Sequence, residues 1–537
     1  MPLPPRSDLP GHEVTNQPPE RGDVDLWTSD PALVEGVAAQ AGPSAGWAGD
    51  LAAQGRTLGQ AIWREAGRTA NRRLPDLRQF DAGGRRLDEV QFDAAYHAMM
   101  ACGVAAGYAA AAWEGRPGGH VAHAALVYLH SQVEPGTCCP MTMTHAAIPA
   151  LAADPALAEI WRPRLTARHY DPSVAPVSAK ESATMGMAMT EKQGGSDLRA
   201  TATTARRSGG EWRLNGHKWF CSAPMSDGFL TLAQAPGGLS CYLVPRWLDA
   251  RRNGIHLMRL KDKLGNRANA SAEIEYHDAV AYPLGEEGAG IRTILAMVHQ
   301  TRLDTAMAPA GLMRAALAEA IHWARHRVAF QRRLVDQPLM EAVLADLALD
   351  REGALALALR VARAFGGDGE ADRGLARIGV ALAKFLSNKL APGVIVEAME
   401  ALGGMGYVED TMLPMLYREA PLNGIWEGSG NVIALDILRT LDRDAAARDS
   451  LEAELAEVRG WHPAYDRALA SLPRDRVPEG AARQHAERLA TLLTAAVLAR
   501  TVPPEIAVAY AESRLSPRSR IYGTVADLPT ERILSRF

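Results

Sequence analysis

Three short segments of this chain set reactive or ring-binding side chains beside turns. The first runs from Met187 through Met189, Thr190, Gly194, Gly195 and Ser196 to Asp197. A double-glycine turn flanked by hydroxyls can offer N–H and O–H donors to the polar edge of a ring or to a pyrophosphate. It also suits an ordinary turn at a domain boundary. The second, Asn215 to Ser222, reads as a hairpin turn leading into a strand with Trp219, Phe220, Cys221 and a terminal hydroxyl. Its aromatics either fill a core or form a wall against a flat cofactor, with Ser222 at the edge. The third is Ile425-Trp426-Glu427-Gly428-Ser429-Gly430-Asn431. In open solvent Glu427 is a loop carboxylate and nothing more. Desolvated by an aromatic wall and a ligand, its pKa rises toward the range where a carboxylate works as a general base.

Other chemistries find no support. There is no G-x-x-x-x-G-K-[ST], and Gly403-Gly404-Met405-Gly406 does not fit the dinucleotide fingerprint. No H-E-x-x-H or clustered His/Cys spacing suggests a metal, so none is expected, and a serine nucleophile elbow is missing. The five cysteines, Cys102, Cys138, Cys139, Cys221 and Cys241, include no C-x-x-C pair. They are expected to be buried free thiols. The composition, 47% apolar and 22% charged, is that of a globular protein. No uninterrupted apolar run approaches the roughly 18 residues that span a bilayer, and the N-terminal stretch lacks an apolar signal core. No membrane association and a cytoplasmic location are therefore expected.

The elements that must position these groups change in texture along the chain. Residues 1–184 comprise a proline-rich extension and then an alanine-rich helical domain beginning at the N-cap signal Ser29-Asp30-Pro31. Between 185 and 289, short β-prone runs separated by glycine turns suggest a compact antiparallel barrel or sandwich. Helical periodicity returns from 290 to 440, with Met340, Val343, Leu344 and Leu347 on one face and a stop at Gly366-Gly367. Residues 441–537 form a further helical segment. The predicted class is α+β, mainly α, with a β module between two helical layers.

These segments, in this order, resemble the acyl-CoA dehydrogenase family of flavoproteins, over about residues 60 to 440. The family's Thr-Glu, glycine turn and Ser-Asp stand at Thr190 to Asp197. Its acid, Gly-Gly-x-Gly and aromatic stand at Glu400 to Tyr407, with Arg418-Glu419 following. The resemblance implies a helical domain, a central β-barrel and a four-helix bundle, with FAD as cofactor. It implies that Met187, Met189, Thr190, Gly195, Ser196, Phe220, Cys221 and Ser222 bind FAD, Ser222 beside flavin N5. The same is implied for Ile425, Trp426, Gly428, Ser429, Gly430 and Asn431. Arg327, Gln337 and Gly404 match positions that reach the FAD of a neighbouring subunit. Glu427 stands where many members carry the base that removes the α-proton of an acyl thioester. Some relatives place the base just before an arginine of an early bundle helix; here that residue is Thr301, ahead of Arg302. Two departures lie near the expected subunit contact: Met415 for a basic residue, and Gln331 for the glycine of Phe-Gly.

A narrower resemblance, to the alkylation-response branch of that family, rests on the longer ends. It is carried by Asn16 to Pro19, Cys139 to Thr144, Lys261 to Asn269 and Asn423 to Asn431. It implies a homotetramer with weak dehydrogenase activity on acyl-CoA of the isovaleryl type. It also implies double-stranded DNA binding through the C-terminal region and a role in limiting DNA alkylation damage, by shielding DNA or by detoxifying the agent. The net charge of -4 leaves no basic field over the whole chain, and only seven of the 58 basic residues are lysine. Any DNA surface must then be a local arginine patch. Arg514, Arg518, Arg520, Arg532 and Arg536 are the candidates, because guanidinium forks suit phosphate oxygens. The alternative is a fully competent acyl-CoA dehydrogenase whose C-terminal segment serves only oligomerisation.

Overall fold

The computed structural model describes residues 5–42, 45–473, 475–516 and 528–536. Seven helices build the N-terminal domain: α1 (Pro31–Ala41), α2 (Ala48–Gly59), α3 (Ala61–Arg72), α4 (Ala94–Ala105), α5 (Gly119–Ser131), α6 (Cys138–Leu151) and α7 (Pro155–Leu165). The N-cap signal holds: Asp30 caps α1, its carboxylate accepting from the Leu33 N–H, with Pro31 opening the helix. That carboxylate does more than cap. It is wholly buried and accepts from Tyr128 (2.6 Å), Arg314 (3.1 Å) and Arg351 (3.1 Å), tying α1 to three later helices.

An all-helical reading of this domain is corrected by a hairpin, β1 (Asp76–Phe80) with β2 (Arg86–Gln91). Asp81 shapes its turn by accepting from the Gly83 and Arg85 N–H groups, and Gly84 takes a left-handed φ of 76°. Gln79 and Arg86 donate to the carbonyl of Leu257, so the hairpin lies on the β module.

The β module contains β3 (Met185–Ala188), β4 (Thr204–Ser208), β5 (Glu211–Ser222), β6 (Gly228–Ala235), β7 (Gly238–Pro245), β8 (Ile255–Leu260) and β9 (Ser271–Leu284). It closes on itself: β9 pairs β5, β5 pairs β4, β4 pairs β6, β6 pairs β7, and β7 pairs the end of β9. Pairing is mostly antiparallel, though β3 and β4 both run parallel to β6. Two register shifts bend β9 enough to serve three neighbours. The expected hairpin turn at Asn215-Gly216 is absent, and both residues lie inside β5. Pairing overrides the turn signal, with Asn215 opposite Thr204 and Gly216 opposite Tyr276. Glycine is needed there because a Cβ would sit 2.5 Å from the Thr203 hydroxyl.

The bundle contains α8 (Gly290–His326), α9 (Pro338–Phe365), α10 (Glu370–Ala401), α11 (Leu413–Glu419) and α12 (Gly430–Arg443). Five further helices follow: α13 (Ala445–Ala456), α14 (Pro463–Ala470), α15 (Ala482–Thr501), α16 (Pro504–Arg514) and α17 (Thr530–Leu534). Helices α13, α15, α16 and α17 pack on α9 or α10 and α14 packs on α15 and α16, so that one apolar core runs from Leu26 through the bundle to Ile533. Helix α10 is long and apolar enough to cross a membrane by composition, but 78% of that window is buried against its neighbours. All five cysteines are buried and free.

Candidate active site

Glu427 lies in the short loop between Leu422–Gly424 and α12, with a left-handed φ of 57°; Gly428 follows at 104°. A non-glycine residue in that region costs of order 1 kcal/mol or more and persists only where its surroundings hold it. Three side chains do so. Lys384, buried on α10, donates from Nζ to the carbonyls of Asn423 and Gly428, each at 2.9 Å. Arg302 on α8 donates from Nε to the Glu427 carbonyl at 3.2 Å. Arg302 is itself held by Asp436 at 2.8 Å, which also binds Arg377. Trp426 is fixed by its indole N–H to Asn423 Oδ1, 2.9 Å.

The Glu427 carboxylate accepts from the Thr301 hydroxyl at 2.7 Å. Burial pushes its pKa up, and the opposing pull of Thr301, Lys384 and Arg302 does not restore the ordinary value. Burial likewise brings Lys384 down to about 7, against the favourable field of Glu427.

The second segment is the end of β5. Phe220 is half exposed there, and Lys261 Nζ stands 3.3 Å from the centroid of the Trp219 ring. Ser222 Oγ lies 3.1 Å from Ser271 Oγ, which in turn accepts from Lys263 Nζ at 3.1 Å. The first segment joins it through the backbone, the Trp219 N–H donating to the Thr190 carbonyl at 2.7 Å. A Cβ on Gly195 would sit 2.6 Å from the Thr190 hydroxyl, so the double glycine permits this turn. Glu191 anchors the turn, accepting from Lys218 (2.7 Å), Thr203 (2.6 Å) and the Ala202 N–H (2.7 Å). Burial would raise its pKa, but those donors bring it to about 2.

The first and third segments meet at one apolar cluster, while Cys221 of the second belongs to the barrel core. Met187, Met189 and Trp426 pack against the apolar cluster that includes Cys139 and Met143 of α6. Cys139 lies between the halves of the site: Ser222 hydrogen-bonds it, while burial and the charges of Glu427 and Glu419 push its thiol up to about 12 despite Lys263. Sequence reasoning did not place Cys139, Lys263 or Lys384 here, and it set Thr301 aside as a non-base. The sequence signals existed only as the Cys139 and Lys261 to Asn269 motifs, with no chemistry attached. Ser196 and Asn431 are exposed, Ile425 is 63% exposed, and Cys221 is buried in the barrel.

Arg327, Gln337 and Gly404 are not brought to Glu427 within the chain. Arg327 donates to the Asn16 carbonyl at 2.5 Å, Gln337 to the Ala329 carbonyl at 2.9 Å, and Gly404 is open to solvent. Phe330 and Gln331, next to Arg327, both take left-handed φ, 52° and 65°, at the place where the family resemblance leads one to expect Phe-Gly. Met415 is buried in the core, where a basic side chain would lack solvent.

Two of the DNA candidates are corrected. Arg514 is buried, its guanidinium bound to Asp346 (2.6 Å) and Asp350 (2.8 Å). Arg536 is buried as well, bound to Glu352 and Glu35, each at 2.7 Å. Their forks are used by internal carboxylates, so neither can meet a phosphate. Arg532 is exposed and pairs with Glu505, while Arg518 and Arg520 lie outside the described residues.

One buried cluster, His123, His145 and Asp304, is close enough to hold an ion. Its ring nitrogens are already committed. His123 faces the Tyr108 carbonyl and Asp304, each at 2.7 Å, and His145 Nδ1 accepts from the Trp113 N–H at 3.0 Å. With Nδ1 accepting from Trp113, the neutral His145 ring carries its proton on Nε2, toward Gln300 Oε1 at 3.3 Å, and has no lone pair left for a metal.

Comparison with known proteins places this geometry. Residues 16–172 match the family model described as the adaptive response protein AidB N-terminal domain. Residues 186–279 match the acyl-CoA dehydrogenase middle domain, and 288–441 the acyl-CoA dehydrogenase C-terminal domain. AidB of Escherichia coli (strain K12), whose name includes acyl-CoA dehydrogenase, is 45% identical over 519 residues, 95% of each chain. The crystal structure of Caenorhabditis elegans ACDH-11 in complex with C11-CoA superposes with a TM-score of 0.84 at 26% identity, covering 96% of this chain and 95% of that one. The apo form of Bd2924 gives 0.82 at 29% identity, covering 90% and 99%.

Proposed function

The chain belongs to the acyl-CoA dehydrogenase family, and from that premise we propose that it is an FAD-containing, AidB-like protein of the response to DNA alkylation with weak dehydrogenase activity on isovaleryl-type acyl-CoA. The observation that carries the chemistry is Glu427: a strained, clamped loop carboxylate of raised pKa, held by the Thr301 hydroxyl and next to Trp426.

The residues present fit a flavin. Phe220 and Ile425 offer exposed apolar faces that a ring would cover, and the hydroxyls of Thr190, Ser196 and Ser222 supply polar partners. A Cβ at Gly194 or Gly404 would meet nothing within 4 Å, leaving both backbones open to a ligand. Met187, Met189, Gly195, Trp426 and Gly428 to Asn431 complete the holding set. Arg327, Gln337 and Gly404 serve the cofactor of a neighbouring copy in a homotetramer. When bound, FAD supplies the hydride acceptor for the substrate Cβ. The chain's own part is proton transfer and placement: Glu427 removes the Cα proton, its pKa raised toward the operating pH, while Arg302 and Lys384 keep its loop fixed.

DNA binding is assigned to Arg518, Arg520 and Arg532, as non-specific phosphate contacts on duplex DNA. The description of the N-terminal family model, an adaptive response protein, supports that role. The alternative, a competent dehydrogenase with a purely structural C-terminal segment, gains from the inward pairing of Arg514 and Arg536.

The test is Glu427→Gln in the FAD-loaded protein. Reduction of the flavin by isovaleryl-CoA, followed by bleaching of its absorbance, is expected to disappear while duplex binding persists. Continued reduction overturns Glu427 as the base. Turnover of the parent at about one per second or faster, with no salt-sensitive duplex binding, favours the alternative.

A further inference from the structure

Thr301 Oγ1 stands 2.7 Å from Glu427 Oε2 and 3.0 Å from the Val298 carbonyl oxygen one turn back on α8. A threonine hydroxyl carries one proton and two lone pairs. It cannot donate to both neighbours at once. With Glu427 ionised both are acceptors, and the proton goes to the carboxylate, where a charge-assisted bond is the stronger. With Glu427 protonated the acid becomes the donor, the Thr301 oxygen accepts, and the Thr301 hydrogen turns to the Val298 carbonyl.

We propose that Thr301 is a two-state positioning residue that holds Glu427 Oε2 in the same place whether that oxygen is ionised or protonated. This rests on the reading of Glu427 as the base. The proton leaving the substrate carbon ends on Glu427; the Thr301 hydrogen rotates about its own C–O bond and is neither gained nor lost. No heavy atom need move between the two states, so the base takes up a proton without losing its aim.

The surroundings favour this role. Among the described residues Thr301 alone hydrogen-bonds that carboxylate, whereas the cations around it grip the backbone instead: Arg302 from α8 and Lys384 from α10 bind loop carbonyls. The other titratable or charged groups near the loop are Cys139 on α6, His299 on α8, Asp436 on α12 and Arg377 on α10, with Lys389 and Arg483 beside Gly430. Arg302 and Arg377 share Asp436, and His299 is held down to about 4 by burial and those two arginines.

The experiment compares Thr301→Val, Thr301→Ala and Thr301→Ser in the full-length, FAD-loaded protein. Two readouts are taken: the acid limb of flavin reduction by isovaleryl-CoA, and the carboxyl stretch of Glu427 by infrared difference titration without substrate, assigned by its loss in Glu427→Gln. Removing the donor that favours the ionised form is expected to move the Glu427 midpoint up by about one pH unit in the Val and Ala variants, the size of one hydrogen bond to a charged group. Thr301→Ser is expected to titrate at the parent value. The proposal is overturned if the hydroxyl-free variants titrate with the parent, or if Ser shifts as far as they do. Should Glu427→Gln still permit flavin reduction, the base assignment fails, while the infrared midpoints still decide what Thr301 does to Glu427.

Discussion

At the scale of single residues, the same side-chain type does opposite work according to what faces it. Arg514 and Arg536 are internal struts and Arg532 is a surface cation, though all three belong to one arginine-rich tail. Removing one partner of a buried ion pair leaves the other charge uncompensated and costs about 3 to 5 kcal/mol, whereas surface changes stay within about 0.5 kcal/mol. Arg514→Ala is therefore expected to lower the thermal midpoint clearly, and Arg532→Glu to leave it alone. Duplex affinity, titrated by fluorescence anisotropy at two salt concentrations, should respond in the reverse order, with Arg532→Glu reducing the salt slope. Equal duplex affinity in Arg532→Glu and the parent would remove Arg532 from the DNA surface. Arginine spacing was visible in the sequence, but the partners that consume two of the forks, Asp346, Asp350, Glu35 and Glu352, lie more than 160 positions away.

At the scale of elements, local signals succeeded where the local structure satisfies itself. The cap at Asp30 did so, and the β-prone runs after residue 185 did so in outline. They failed where a distant strand supplied a better partner: Asn215-Gly216 became the middle of β5 because β4 and β9 pair on either side of it. Asp30 shows how far an element's end can reach, since its carboxylate neutralises two buried guanidiniums from α8 and α9. Burial alone would raise the Asp30 pKa, but Arg351, Arg314 and the Tyr128 hydroxyl bring it below the ordinary value. A depressed folded-state pKa means stability that is present above the unfolded value near 4 and is lost as pH falls through the folded one. Asp30→Ala is expected to destabilise at neutral pH by about 3 to 5 kcal/mol and to flatten this part of the acid limb. Thermal melts from pH 7 to pH 3 that run parallel for variant and parent would refute the assignment.

At the scale of the whole molecule, one continuous core joins the N-terminal helices, the bundle and the C-terminal helices, while several large apolar side chains stay outside it. Phe330 is 93% exposed, Tyr407 81% and Leu339 75%, each within three residues of Arg327, Gly404 or Gln337. Under the tetramer reading these faces are covered by neighbouring copies, and cofactor retention depends on assembly. Leu339→Glu combined with Tyr407→Arg is expected to give a smaller species by sedimentation and to lose flavin absorbance after gel filtration. A variant that keeps both its size and its FAD would place the interface elsewhere. The sequence by itself determined the order of helical layer, barrel and bundle, and the identity of Glu427 as the carboxylate of interest. The first follows from periodicity and the second from what the family resemblance implies, and both are carried by patterns written over short spans of chain. Only the tertiary structure decided that Thr301, Cys139, Lys263 and Lys384 surround that site, and that Arg514 and Arg536 face inward. Hydrogen bonding and desolvation act over a few ångströms of space, and the fold brings those residues together from positions as far apart as 139 and 427.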